Sequence, residues 1–276
     1  MIKVAVIGCK GMAGHLIKNY LKSLGVYDIF GIAREIEPSK NLINLDVLNT
    51  SELEHVIKKN SFSIVINCIG LLNKIAEDNP EKAVWFNSYF PHYLESLGKR
   101  YRFKLIHIST DCVFSGKEGS YTEESFKNGV GYYAQSKALG EVVNNRDLTF
   151  RTSIIGPELK IDGIGLFHWF MHQKGPIKGY TEAYWTGVTT LELAKAIHKA
   201  IQQDLRGLYH LVNNSKISKY ELLCLFNNIF KNNRIEVLAE GNYKVDKSLV
   251  CSRNDFDYTI PSYEKMIVEM KEWMKL

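Results

Sequence analysis

A glycine-rich turn directly after the first apolar segment constrains the fold of this chain more than any other feature. Residues 2–7 read Ile-Lys-Val-Ala-Val-Ile, and the glycines that follow are Gly8, Gly11 and Gly14. In a strand–turn–helix unit the first glycine permits the tight turn, the second admits a pyrophosphate, and the third lets the helix pack on the strand. The next segment, 15–21, has helical apolar spacing. The sequence therefore predicts a βαβ unit that binds a dinucleotide at a helix N-terminus.

Apolar segments with the length of strands alternate with amphipathic segments along the first half of the chain. Strands are predicted at 2–7, 28–33, 41–45, 63–69, 104–109 and 148–152. This alternation predicts an α/β fold, a Rossmann-type doubly wound parallel sheet with a smaller C-terminal substrate-binding lobe. Ser51 and Glu54 predict a capping box for the helix that runs through residue 58. Pro91 predicts a kink or division in the helix that starts near Glu81.

The sequence changes character after Gly156-Pro157, where it becomes rich in glycine and aromatic residues. We expect residues 1–155 to form the NAD(P)-binding domain and residues 156–276 to form mainly the substrate-binding lobe. Within the second part, residues 187–215 contain a predicted helix and strand that return to the sheet. No Pro/Gly/Ser-rich linker divides the chain. A cleft is therefore expected between the two parts, at the carboxyl ends of the strands.

Composition excludes several classes of protein. The net charge of +5 is spread among acidic residues, which argues against a nucleic-acid-binding stripe. We expect a cytoplasmic protein without a membrane segment, because no apolar run is long enough to span a bilayer and the N-terminus does not resemble a signal peptide. The five scattered cysteines predict neither disulfides nor a zinc site. His168 and His172 lack a nearby acidic ligand, so no metal is assigned. A homodimer is compatible with the sequence.

Tyr133 and Lys137 are candidate catalytic residues. Their spacing of four puts both side chains on one face of a helix, so the ammonium group can lie near the phenol. A nearby cation favours the phenolate and lowers the pKa of tyrosine toward neutrality, which suits a proton donor. Tyr132 is a less suitable acid because Ser136, four residues on, carries no charge. Thr110, at the end of the predicted fifth strand, is placed to hydrogen-bond the same substrate oxygen.

These motifs resemble the extended short-chain dehydrogenase/reductases, and within them the relatives of dTDP-4-dehydrorhamnose reductase. The resemblance covers nearly the whole chain. It is carried by the glycine turn, Asn67-Cys-Ile-Gly70, Ser109-Thr-Asp-Cys-Val-Phe-Ser-Gly116, the Tyr133 and Lys137 pair, Arg151-Thr-Ser153 and the segment 186–194. It implies a catalytic triad of Thr110, Tyr133 and Lys137. It also implies that these residues contact or flank the cofactor: Gly8, Gly11, Gly14, Asp46, Val47, Cys68, Ile69 and Gly70. We expect five more residues to bind the cofactor: Lys10, Met12, Arg34, Tyr133 and Lys137.

The chain departs from this family at one stretch. Rhamnose reductases commonly have an A-Y-T-x-V-D-x-A-E pattern after the fourth strand, whereas residues 71–79 read Leu-Leu-Asn-Lys-Ile-Ala-Glu-Asp-Asn. This departure indicates a related sugar rather than the same one. Sugar-nucleotide dehydratases of the superfamily typically have an acid directly after Thr-Asp. Here Cys112 occupies that position, which disfavours a dehydratase.

Charge at the end of the second strand favours NADP(H) over NAD(H). NAD-binding folds usually have an acid there for the ribose hydroxyls, whereas a 2′-phosphate is stabilised by a cation. The predicted strand ends at Ala33 and is followed by Arg34, and Lys10 in the glycine turn adds a second cation. Glu35, next to Arg34, is acidic and is the one residue here that favours NAD(H) instead. An exchangeable NADPH in turn favours net reduction over the redox-neutral reactions of this superfamily.

The resulting hypothesis is an NADPH-dependent reductase of the 4-keto group of a nucleoside-diphosphate 4-keto-6-deoxyhexose, acting in deoxysugar synthesis for surface polysaccharide. A sugar-nucleotide epimerase and a non-catalytic NADP-binding regulatory subunit are the alternatives. Such regulatory proteins often lose the Tyr or the Lys, and this chain has both. Five residues are weaker candidates for the nucleotide-sugar substrate. Four aromatic residues are expected to stack on the base or sugar: Phe167, Trp169, Tyr184 and Trp185. Arg253 is expected to bind the diphosphate.

Overall fold

The computed structural model describes residues 1–275, in which strands and helices alternate. The helices are α1 (Met12–Ser23), α2 (Thr50–Asn60), α3 (Asn73–Asp78), α4 (Pro80–Ala83), α5 (Phe90–Tyr101), α6 (Tyr132–Leu139), α7 (Leu166–Met171), α8 (Thr190–Gln202), α9 (Lys219–Lys231) and α10 (Tyr263–Trp273). The strands are β1 (Ile2–Ile7), β2 (Tyr27–Ala33), β3 (Leu42–Asn44), β4 (Ile64–Asn67), β5 (Lys104–Ser109), β6 (Leu148–Arg151), β7 (Ser153–Ile155), β8 (Ile177–Trp185), β9 (Gly187–Thr189), β10 (Gly207–His210), β11 (Ile217–Ser218) and β12 (Val237–Asp246).

A seven-stranded parallel sheet forms the centre of the molecule. Its order is β10-β6-β5-β4-β1-β2-β3, so the chain winds outward from β1 in both directions. The predicted doubly wound parallel sheet is therefore confirmed. The strand order reverses between β1 and β4, and this switch point leaves a crevice at the carboxyl ends of the strands. Within residues 1–275, no helix combines the length and the apolar character needed to cross a membrane.

Alternate residues of each central strand pack into two separate cores, one on each face of the sheet. In β1, Val4 and Val6 belong to the core formed with α1 and α8, whereas Ala5 and Ile7 belong to the core formed with α2 and α5. All four side chains are fully buried. This is why the parallel strands are continuous apolar runs rather than alternating ones.

The C-terminal part adds a small sheet of order β11-β8-β12. Strand β10, by contrast, pairs with β6 and joins the central sheet. Phe170 of α7, Phe226 of α9 and Met270 of α10 are all buried, and they belong to the same hydrophobic core as Val4 of β1. One core thus extends from the central sheet into the C-terminal part without interruption.

One local feature differs from the sequence prediction, and a second makes it more specific. The expected capping box of Ser51 and Glu54 is wrong: helix α2 begins two residues earlier, and Asn49 is its N-cap and accepts a hydrogen bond from the Glu52 N–H at 3.2 Å. Asparagine competes well with serine at this position. Ahead of Pro91, the helix is divided by a π-helical segment, Val84–Tyr89, which lies between α4 and α5. π-Helical turns often lie at functional sites.

A buried ion pair lies below the carboxyl end of β5. Arg151 forms two hydrogen bonds to Glu141, each of 2.7 Å, and donates a third to His210, also at 2.7 Å. Glu141 also accepts a hydrogen bond from Ser109 at 2.7 Å. We call these four residues the Glu141 network. Because each member is buried, breaking one contact would leave an unpaired polar group, which costs more than an exposed pair would.

The Glu141 network predicts a loss of stability in mild acid. Burial and then the Arg151 cation lower the pKa of His210 from 6.5 to about 4, against the attraction of Glu123. Below pH 6.5 the unfolded chain binds a proton that the folded chain does not, so the free energy of unfolding falls as the pH drops from 6.5 to 4. This contribution is at most about 3 kcal/mol.

Urea unfolding at the two ends of this pH window measures the effect. Across this window the free energy of unfolding of His210→Gln should fall by about 2 kcal/mol less than that of wild type. His55→Gln, at an exposed position, is the matched control and should retain the wild-type pH dependence. Equal pH dependence in His210→Gln and wild type would contradict the assignment.

Candidate active site

The glycine turn forms a close backbone cradle at the carboxyl end of β1. Gly8 has φ +82°, a conformation that favours glycine, and a Cβ there would lie 3.2 Å from the Cys68 carbonyl carbon. A Cβ on Gly14 would lie 2.2 Å from the Gly8 carbonyl oxygen. Gly11 is the N-cap of α1, whose first turn carries no acidic side chain. The backbone N–H groups of this turn can therefore hold a dinucleotide pyrophosphate.

The two predicted cations lie together at the end of β2. The Lys10 ammonium group donates a 2.8 Å hydrogen bond to the carbonyl oxygen of Glu35, the residue after Arg34. Arg34 is largely exposed and pairs with Asp46 at 3.4 Å. Because an exposed pair at this distance is weak, the Arg34 guanidinium remains able to bind another anion. Val47, next to Asp46, is buried in the core on the α2 and α5 side of the sheet.

The turn after β4 brings the cofactor residues close to Lys137. Asn67 is fully buried, and its side-chain oxygen accepts a 3.1 Å hydrogen bond from the Ile69 N–H. A Cβ on Gly70 would lie 3.9 Å from the Lys137 ammonium nitrogen. The residues Cys68, Ile69 and Gly70 thus occupy the crevice between the glycine turn and the helix that carries Lys137.

Helix α6 carries Tyr133 and Lys137, and its start is fixed by a carboxylate from another helix. Glu77 of α3 accepts hydrogen bonds from the N–H groups of Tyr132 and Tyr133, both at 3.0 Å. Gly131, with φ +94°, is needed here because a Cβ would lie 2.6 Å from a Glu77 oxygen. An anion at a helix N-terminus is stabilised by the helix dipole. Glu77 therefore positions the phenol of Tyr133.

Thr110 lies at the end of β5, beside the same helix. It caps the turn Asp111–Val113, accepting a 3.1 Å hydrogen bond from the Cys112 N–H, and it donates to Asp111 at 3.1 Å. The side chain of Thr110 also interacts with the Tyr133 phenol. The structure thus brings Thr110 and Tyr133 together, with Lys137 one helical turn further along α6.

The expectation that Lys137 lowers the pKa of Tyr133 is wrong for this structure. Burial raises the pKa of the Tyr133 phenol, Cys112 and Asp111 raise it further, and the Thr110 hydroxyl opposes them. Lys137 instead donates a 2.7 Å hydrogen bond to the Ile108 carbonyl. Burial lowers the pKa of Lys137 to about 8, against the attraction of Glu141. The phenol therefore holds its proton firmly, as a proton donor must before it acts.

The aromatic candidates for substrate stacking separate into two groups. Phe167 and Trp185 are each 2% exposed and belong to the hydrophobic core, so they have no free face for a ligand. Trp169 is 40% exposed on α7. Tyr184 is half-buried on β8, with the Lys216 ammonium group 4.3 Å from its ring centroid. Only Trp169 and Tyr184 keep faces that a substrate can contact.

Arg253 makes its contacts away from the candidate active site. It pairs with Asp255 and donates hydrogen bonds of 2.7 Å to the carbonyl oxygens of Arg206 and Leu208, at the start of β10. The start of a parallel strand lies at the opposite edge of the sheet from the candidate site. A cavity of about 1150 Å³ opens there, lined by Arg253, Arg151 and the loop 123–127. We therefore remove Arg253 from the candidate substrate site.

Two residues of the site were missed from the sequence. Glu77 lies in the stretch that departs from the family pattern, and its partners are 55 and 56 residues further along the chain. Asn87, in the π-helical segment, accepts a hydrogen bond from the Leu71 N–H at 2.8 Å and donates to Ser136 at 3.1 Å. It joins the β4 turn to α6. The isolated sequence carries no local signal for either contact.

Comparison with known proteins places the chain among sugar-nucleotide enzymes and their relatives. The family model described as RmlD substrate binding domain matches residues 2–246. The chain is 29% identical over 140 residues to the probable low-salt glycan biosynthesis reductase Agl14 of Haloferax volcanii, covering 49% of this chain and 46% of that relative. The chain thus spans about half the length of that relative. It is 21% identical over 242 residues to methionine adenosyltransferase 2 subunit beta of Bos taurus, covering 83% and 72% of the two chains.

A solved structure has the same fold over the full length. It is the dTDP-4-dehydrorhamnose reductase of Bacillus anthracis in complex with NADP, with a TM-score of 0.83 and 22% identity, covering 99% of each chain. At this identity the likeness shows the fold. Because the alignment covers 99% of each chain, the C-terminal sheet and its helices also have counterparts in that structure.

The close approach of Gly14 to Gly8 gives a direct test of the cradle. Gly14→Ala places a methyl group against rigid backbone, so we expect dinucleotide affinity to fall at least about tenfold and the melting temperature to fall by several degrees. Gly175→Ala is the matched control, because no atom lies within 4 Å of the added Cβ. Fluorescence titration with NADPH and thermal unfolding measure both. Unchanged affinity in Gly14→Ala would contradict the cradle.

Proposed function

The chain belongs to the RmlD substrate binding domain family, and on this premise we propose that it is an NAD(P)-dependent reductase of a nucleotide-linked ketosugar. The observation that carries the proposal is the meeting of Thr110, Tyr133 and Lys137 with Gly70 at the switch point of the sheet. The proposed substrate is a nucleoside-diphosphate 4-keto-6-deoxyhexose. The reaction serves the synthesis of activated deoxysugars for polysaccharide.

Each side chain has one task in the proposed mechanism. When bound, the nicotinamide cofactor supplies a hydride to the ketone carbon. Tyr133 donates its proton to the ketone oxygen, and the Thr110 hydroxyl hydrogen-bonds the same oxygen as negative charge develops on it. Lys137 binds the cofactor ribose, and Glu77 keeps the start of α6 in position. The oxygen thus becomes a hydroxyl without a free alkoxide.

The family relatives leave open the two alternatives, an epimerase and a regulatory subunit. Retention of both Tyr133 and Lys137 supports catalysis over regulation. NADP(H) is the proposed cofactor, because Lys10 and Arg34 converge at the end of β2, where the 2′-phosphate would lie. We propose that strands β8, β11 and β12 and helix α9 form the substrate-binding lobe. Tyr184 of β8 and Trp169 of α7 are its proposed contacts with the substrate. The segment 187–215 is assigned to the cofactor domain.

Tyr133→Phe tests the proton donor. Loss of the hydroxyl should lower kcat about 100-fold or more and leave NADPH affinity unchanged, because the ring still fills the same space. The assay follows NADPH absorbance with dTDP- and UDP-4-keto-6-deoxyhexoses, with NMR of the product. Tyr132→Phe, next in the chain and 48% exposed, is the matched control and should keep wild-type activity.

The same assay separates the three functions. Net NADPH consumption with a new hydroxyl at C4 supports the reductase. Redox-neutral isomerisation would instead identify an epimerase, and NADPH binding without turnover of any ketosugar would identify a regulatory subunit. A fully active Tyr133→Phe protein would show that another group supplies the proton.

Arg34→Ala tests the cofactor preference. Removing this cation should raise the KM for NADPH about tenfold and change the KM for NADH little, since only NADPH carries the 2′-phosphate. Arg234→Ala, an exposed arginine outside the site, should change neither constant. Steady-state kinetics with both cofactors measures the difference. A similar rise for NADH and NADPH would mean that Arg34 does not contact the 2′-phosphate.

A further inference from the structure

A buried histidine of β5 keeps one ring nitrogen without a partner. His107 is fully buried, and within residues 1–275 its Nε2 atom makes no hydrogen bond. Its neighbours in register are Asn67 of β4 and Thr149 of β6, which are also fully buried. Leu105, two residues earlier on the same strand, belongs to the core formed with α2 and α5. An unpaired buried N–H lowers stability, so an imidazole is a costly choice on this apolar face of the sheet.

The backbone of the turn after β4 determines which ring nitrogen of His107 carries the proton. The Ile69 N–H can only donate, so the Asn67 atom that accepts from it at 3.1 Å is the side-chain oxygen. The Asn67 NH₂ group therefore faces His107 and donates to Nδ1 at 3.2 Å. Because Nδ1 accepts, the proton of the neutral ring lies on Nε2. Burial lowers the pKa of His107 well below its usual value, and the Lys137 cation lowers it further, so the ring stays neutral.

Two buried asparagines hold the two ends of the turn after β4. Asn67 holds the first end through the Ile69 N–H. Asn87 holds the second end, because it accepts from the Leu71 N–H at 2.8 Å and donates to the Leu71 carbonyl at 2.9 Å. Between these ends the turn packs on the glycine turn, since a Cβ on Gly8 would lie 3.0 Å from Cγ1 of Ile69. A rotated Asn67 amide would place its NH₂ group against the Ile69 N–H and release the first end.

We propose that His107 is a positioning residue for the dinucleotide and acts through Asn67. The Nδ1 lone pair of His107 holds the Asn67 amide in the one orientation whose oxygen meets the Ile69 N–H. The turn after β4 then keeps its contact with the glycine turn, where the dinucleotide binds. This role rests on the proposed function, since it requires a nicotinamide dinucleotide in the crevice. An apolar side chain at position 107 would suit the core but would leave the Asn67 amide free to rotate.

Fluorescence titration with NADPH and NADH tests the proposal. His107→Phe removes the acceptor and keeps an aromatic ring, so the Kd of both dinucleotides should rise about fivefold or more. The factor should be the same for both, because the turn follows β4 whereas the cations proposed for the 2′-phosphate lie at the end of β2. His107→Asn keeps an oxygen near the place of Nδ1 and should lose less affinity.

Thr149→Val is the matched control for a defect in the same core. Thr149 lies on the other side of His107 in the register and donates a 2.6 Å hydrogen bond to the Val142 carbonyl. Its loss should lower the melting temperature, because a buried carbonyl is left unpaired. The Kd values for NADPH and NADH should remain those of wild type.

Nitrogen NMR of the imidazole rings gives a readout that folding stability alone does not change. In wild type at pH 7 the His107 ring should carry its proton on Nε2, and its signals are identified by their absence from His107→Phe. Asn67→Asp keeps one oxygen for the Ile69 N–H and presents the other to His107, so a proton should appear on Nδ1. Asn67→Asp should also keep more dinucleotide affinity than Asn67→Leu, which has no acceptor for the Ile69 N–H.

Contrary results would overturn separate parts of the proposal. Unchanged Kd values in a folded His107→Phe protein would overturn the role of His107 and leave the proposed reductase intact. An equal loss of affinity in Thr149→Val would show that any defect in this core weakens binding, which contradicts positioning through Asn67. A wild-type ring protonated on Nδ1 would contradict the assigned hydrogen bond. Failure of wild type to bind either dinucleotide would overturn the proposed function together with the role of His107.

Discussion

Helix α1 can approach strand β1 only because Gly14 has no side chain, and the rest of the site depends on that approach. Any Cβ at this position would meet the Gly8 carbonyl oxygen at 2.2 Å. The contact brings the helix N-terminus over the carboxyl end of the strand, where β4 and β5 also end. The cofactor residues after β4, Thr110 after β5 and the start of α6 all converge on the crevice that this contact defines.

Charged side chains of the two sheets are satisfied in different ways. On the central sheet the charges are buried: Arg151 pairs with Glu141, and Lys137 donates to a backbone carbonyl. On the C-terminal sheet a pair such as that of Lys178 with Glu240 has an exposed lysine. Breaking a buried pair would leave its partner without compensation, whereas an exposed pair contributes little. The candidate site is therefore more sensitive to loss of its buried charges than the C-terminal sheet is to loss of its surface pairs.

The sequence predicted the parts of this structure that local chemistry determines. The glycine turn, the parallel strands and the face shared by Tyr133 and Lys137 follow from conformational freedom, apolar runs and helical spacing. Apart from the N-cap of α2, the predictions that failed were ones that needed tertiary knowledge. Phe167 and Trp185 looked like ligand contacts but are core residues, since burial of large aromatics stabilises the fold more than exposure would. Glu77 could not be identified, because its partners lie far along the chain.

The single core shared by the central sheet and the C-terminal part restricts how the crevice can open. A hinge motion of one part against the other would divide a core to which Phe226 and Met270 belong together with Val4 of β1. Exposing even three buried apolar side chains of this core would cost on the order of 5 kcal/mol. We therefore expect a substrate to enter and leave by movement of loops and side chains at the rim, rather than by rotation of one part against the other.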